Sequence, residues 1–95
     1  MNGWVAVCEI ELWIPAAESL KEKRQVVRSV VERIRQRCGA SAAETDFQDV
    51  WQRAGIVVAV VSGRRDDLDQ RINHIRRILD QTGAAEVREF SVDWI

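Results

Sequence analysis

Apolar and polar residues alternate from Trp4 to Ile14, with Trp4, Ala6, Cys8, Ile10, Leu12 and Ile14 in one row and Val5, Val7, Glu9, Glu11 and Trp13 in the other. A period of two means a strand over 4–14 with one wholly apolar face. Pro15 has no N–H to give a ladder and ends it. Ser19 followed by Glu22 has capping-box spacing, and beyond it Leu20, Val27, Val30, Val31, Ile34 and Cys38 recur at threes and fours. The spacing predicts a helix over 20–37, stopped by Gly39 in the left-handed conformation. Segments 41–47 and 51–62 read as two strands joined tightly around 48–50, the second rich in valine. Helical spacing returns over 66–81 through Leu68, Ile72, Ile75 and Leu79, with acids at the positive N-terminal end and Gly83 at the finish. A last alternating stretch, 86–95, sets Arg88, Phe90, Val92 and Trp94 against Val87, Glu89, Ser91 and Asp93.

The order strand, helix, strand, strand, helix, strand, with right-handed crossovers, interleaves into a four-stranded antiparallel sheet carrying both helices on one face. This is an α+β class domain, a ferredoxin-like βαββαβ sandwich. At 95 residues the chain makes one domain, 1–95, with too little mass for a deep cavity between lobes. Its 46% apolar and 31% charged content is that of an ordinary globular domain. The opening residues lack a basic stretch of the signal-peptide kind, and the longest uncharged apolar run is only about half of a membrane span. The expectation is a cytoplasmic protein with no membrane partner and with Cys8 and Cys38 reduced.

Candidate chemistry is sparse. His74 is the sole histidine and has no evident nucleophile or carboxylate partner, so it reads as a helix-flank residue near solvent. Cys8, Cys38 and His74 lack chelating spacing, and no glycine-rich loop is present to cradle phosphate. No cofactor, metal or catalytic residue is therefore expected, and the chain reads as a non-enzyme. Pro15 to Glu18 offers no anion loop with arginine such as acyl-phosphate hydrolysis would want. The apolar centre of the third strand has no aromatic residues on which RNA bases could stack.

Charge placement says more than the net charge of −1. Helix one carries Lys21, Lys23, Arg24, Arg28, Arg33, Arg35 and Arg37 against Glu22 and Glu32, whereas the strands and hairpin are strongly acidic. A polyanion would be steered to the helical layer. Lys21, Lys23, Arg24, Arg28 and Arg35 are the candidate RNA contacts, with simple solubility of an exposed helix as the competing explanation. Val5, Val7, Trp13, Val57 and Val61, with Ala59 and Val87, would lie on the uncovered sheet face. An apolar centre within a polar rim points to homodimerisation or partner docking there, against the competing explanation of strand propensity.

Residues 46–54, reading DFQDVWQRA, are more particular than core packing requires. Gln48, Asp49, Trp51, Gln52 and Arg53 either tie a tight turn through side-chain to backbone hydrogen bonds or bind something. With 10–15 (IELWIP) and 19–24 (SLKEKR), this stretch makes the chain resemble the YlxP-like family of small bacterial cytosolic proteins. The resemblance spans nearly the whole chain. It implies the ferredoxin-like fold and, because members are commonly encoded near translation and ribosome-maturation genes, an RNA- or ribosome-linked accessory role. It carries over no catalytic residue. Trp13 and Phe47 stand where the family pattern leads one to expect histidine, which argues against a mechanism needing imidazoles there.

Overall fold

The computed structural model describes residues 2–95. Six elements follow one another: β1 (Trp4–Trp13), α1 (Leu20–Cys38), β2 (Ser41–Asp46), β3 (Arg53–Ser62), α2 (Arg65–Asp80) and β4 (Glu86–Trp94). The sheet order is β2-β3-β1-β4 with every neighbouring pair antiparallel, the ferredoxin-like arrangement expected.

The apolar row of β1 sets the core. Ala6, Cys8, Ile10 and Leu12 register with Val60, Val58, Ile56 and Ala54 of β3, and all eight are buried beneath the helices. Helix one contributes Val27, Val30, Val31 and Ile34, and helix two adds Leu68, Ile72, Ile75, Ile78 and Leu79. Burying each such side chain is worth about 1.5–3 kcal/mol of transfer free energy, so the strict periods of two and of three to four are what the fold selects. Trp4 stays 41% exposed at the end of its row. The Arg65 guanidinium lies 5.5 Å from the Trp4 ring and 3.7 Å from that of Trp94.

Helix one starts at an extended Ser19 whose Oγ accepts from Glu22 N at 3.1 Å. The reciprocal bond falls one residue earlier than a standard capping box puts it, from Glu18 N to Glu22 Oε2 at 2.7 Å. Gly39 closes the helix at φ 57°, a left-handed conformation that costs glycine nothing. Helix two differs from expectation at its end. It stops at Gln81 in a right-handed conformation, whose N–H bonds to Arg77 O, and Gly83 lies beyond the cap.

Two register shifts re-aim side chains. One falls at residue 45, between Glu44 and Asp46 of β2, and the other in the β1–β4 pairing between Glu11 and Leu12. Across the second, Val87 pairs with Leu12, which moves Val87 from the open face, where simple alternation put it, to the helix side. Arg88 is thereby turned to lie 4.5 Å from the Trp13 ring.

Candidate functional site

Helix one can be built from its buried stripe outward. With Val27, Val30, Val31, Ile34 and Cys38 committed to the core, Lys21, Arg24, Arg28, Arg35 and Arg37 are left exposed and Arg33 half-buried. None of these six cations lies within ion-pair distance of an acid among the described residues. Arg35 is partly tied down, its Nε donating to Ala42 O at 2.9 Å. Arg28 and Arg33 line a shallow groove of about 310 Å³ with Gln25, Ser29, Glu32 and Gln36. The first half of helix two contrasts with this, because Arg65 pairs with Asp69, Arg71 with Asp67, and the preceding Arg64 with Asp66, whereas Arg76 lies over the Phe90 ring and Arg77 has no ion-pair partner among the described residues.

Lys23 does not belong with the exposed cations. It is 0% exposed, and its Nζ makes an ion pair with Glu44 at 2.6 Å and donates to Phe47 O at 2.9 Å and Gln48 O at 3.2 Å. All three donors of the ammonium are used inside the fold. Glu44 Oε2, itself hidden from solvent, has no partner other than this ammonium among the described residues. Lys23 is therefore withdrawn from the candidate RNA contacts. The signal was available in the sequence: position 23 lies on the helix's own apolar stripe, between Leu20 and Val27, and only its charge argued otherwise.

This lysine also explains the hairpin. Residues 47–52 form the turn, and Phe47 takes φ 60°, uncommon for a bulky residue. Lys23 gathers the Phe47 and Gln48 carbonyls, the Arg53 guanidinium stacks 3.8 Å over the Phe47 ring, and Gln52 Nε2 donates to Pro15 O at 3.0 Å. Ile14 N bonds to Gln52 O at 2.9 Å, tying the hairpin base to the end of β1. Gln52 and Arg53 of the 46–54 motif are thus turn architecture, while Gln48 makes only a long 3.4 Å bond to Glu44 O. Asp49 is exposed and has no side-chain hydrogen bond in the turn, and Trp51 is 52% exposed rather than packed over it.

The open sheet face is the second assembled surface. Val5, Val7, Trp13 and Val57 are half-buried there and Val61 is 63% exposed, as the alternation requires. His74 is half-buried on helix two, and no cluster of three metal-ligating side chains occurs among the described residues. Burial pushes the Cys8 thiol above its ordinary range against a weaker opposing pull from Arg76. Burial does the same at Cys38 against Arg71, Arg77 and Arg37. Both stay neutral thiols at physiological pH, packed as small apolar groups.

The family of proteins of unknown function designated DUF503 matches residues 5–92, nearly the entire fold just described. The chain belongs to DUF503. Within reach of this family, the YlxP protein of Bacillus subtilis, itself uncharacterised, is 29% identical over 90 residues, covering 95% of this chain and 98% of YlxP. Solved structures bear on the fold of this DUF503 chain. The de novo designed protein LFR1, with ferredoxin fold, superposes with a TM-score of 0.53 at 12% identity, covering 96% of this chain and 82% of the design. YXEP, a dinuclear metal-binding peptidase of Bacillus subtilis, gives 0.62 at 12% identity, with 98% of this chain matching only 26% of that one. At such identities the likeness is one of backbone architecture. Among the described residues no helix is long and apolar enough to cross a membrane.

Proposed function

We propose that this DUF503 chain is a nonenzymatic accessory protein of the cytoplasm that binds structured RNA, alone or within a ribonucleoprotein, through helix one. The observation carrying this reading is the row of cations without acidic partners along one flank of helix one, Lys21, Arg24, Arg28 and Arg35, with Arg33 and Arg37 on the opposite flank. At 1.5 Å per residue the row extends over roughly 21 Å of helix, enough to meet several phosphates of a folded RNA strand. Solubility alone would be served by interleaved pairs of the kind that the first half of helix two uses. The translation-linked role implied by the family resemblance agrees with this chemistry.

The test is a titration of a fluorescent RNA hairpin at several salt concentrations. Binding should weaken steeply with salt, and Arg24→Glu and Arg28→Glu should each flatten the salt slope by about one. Lys21→Glu should act alike. Binding indifferent to salt, or surviving all three reversals together, would overturn the reading.

A further inference from the structure

The sheet face away from the helices has a definite layout. Val61 and Val5 pair at one end, where Ile95 N bonds to Val5 O, and the next row brings together Ser41, Ala59, Val7 and Asp93. Ala43, Val57, Glu9 and Ser91 form the third row, and Asp46, Gly55, Glu11 and Glu89 the fourth. The first row is aliphatic and the fourth carboxylate, and beyond it Arg53, Trp13 and Glu86, with Arg88 on the Trp13 ring, close the face. Gly55 leaves a depression of about 250 Å³ among Glu9, Glu11, Asp46 and Glu89, and a Cβ on Gly55 would come within 2.7 Å of Asp46 Cβ. A second hollow, lined by Ala43, Thr45, Val57 and Ala59, adjoins it at Thr45 and Val57.

Glu11 and Glu89 stand directly opposite one another, a pairing of like charges that weakens a sheet. Arg53 answers Glu11 at 3.1 Å, while Glu9, Glu89 and Asp93 have no ion-pair partner among the described residues. A cation arriving from outside would relieve this repulsion, and aliphatic side chains beside it would cover the valines. A second copy of the chain laid face to face would instead double the carboxylates.

We infer that the open sheet face docks a basic protein segment, its aliphatic side chains on Val5, Val7, Ala59 and Val61 and a lysine or arginine in the Gly55 depression. This surface is separate from helix one and does not depend on RNA binding. Charge complementarity selects the partner and the aliphatic rows exclude water from the contact.

The probe is a short capped peptide alternating lysine and valine, titrated into isotopically labelled full-length protein, with a glutamate–valine peptide as control. Amide shifts should concentrate on Val5, Val7, Val57, Ala59 and Glu89, and the acidic control should leave them still. Glu9→Lys combined with Glu89→Lys should weaken binding by about tenfold, a loss near 1.4 kcal/mol. Val61→Asp separates docking from simple attraction, because added negative charge would strengthen the latter whereas docking should weaken by a similar factor. Shifts on the helices, stronger binding by Val61→Asp, or no binding at millimolar peptide would each overturn the inference. So would a free protein that sediments as a dimer broken by Val61→Asp, since that makes a second copy the occupant.

Discussion

Lys23 shows how one side chain can belong to two elements at once. Its ammonium compensates Glu44 of β2 and two carbonyls of the following turn, so its removal strands three acceptors together. Breaking a buried ion pair from one side costs about 3–5 kcal/mol, and the 19% exposure of the Glu44 side chain lets water recover part of that. Lys23→Met is therefore expected to lower unfolding free energy by about 3 kcal/mol in urea melts. Adding Glu44→Leu should restore part of the loss, with a coupling above about 1 kcal/mol in the double-mutant cycle. Additive effects would show that the pair is not coupled. The same substitution should leave the RNA salt slope unchanged, in contrast to Arg24→Glu and Arg28→Glu.

At the scale of elements, ends and turns were legible wherever one local rule decided them. Ser19 and Gly39 bound helix one because a hydroxyl acceptor and a left-handed residue act within a few positions of themselves. Ser19→Ala should cost about 1 kcal/mol, read as a shift of the denaturation midpoint. The hairpin did not yield in the same way. Gln48 and Asp49 have the composition of a self-bonded turn, yet the turn is held from outside, by Lys23 and through Gln52 on Pro15. Asp49→Ala should accordingly leave stability within about 0.5 kcal/mol of the wild type, and Gln52→Ala should lose about 1 kcal/mol. Equal losses at both positions would return Asp49 to the turn's framework. The exposed Trp51 and Asp49 are the members of the motif free to meet a partner.

For the whole molecule, a net charge of −1 conceals a separation of sign, cations along helix one and carboxylates across the open sheet. A partner feels the local field over about a Debye length, 8–10 Å at moderate salt, rather than the sum. The protein should thus be retained on heparin at pH 7 despite its acidic pI of about 5.8. Arg24→Glu with Arg28→Glu should abolish that retention. Flow-through of the wild type at low salt would mean that the cations of helix one do not act as one surface.

The periods of hydrophobicity determined β1, β4, both helices and the helix-facing core, because burial acts on every second or every third to fourth residue and leaves its mark in the chain itself, while strand propensity and a turn marked the two middle strands. The family resemblance rested on the same footing, on contiguous motifs. Charge segregation between helix one and the strands could also be counted from the sequence. What needed the tertiary structure were the facts that join distant residues. Lys23 was drawn inward by Glu44 and the turn carbonyls some 24 positions away. A one-residue register shift opposite Glu11 and Leu12 moved Val87 to one face and set Arg88 against Trp13 on the other. Cross-strand register brought Asp46, Glu11 and Glu89 into a single row around Gly55. Local propensity has no access to such pairings, since they are chosen by which strands the packed core brings side by side.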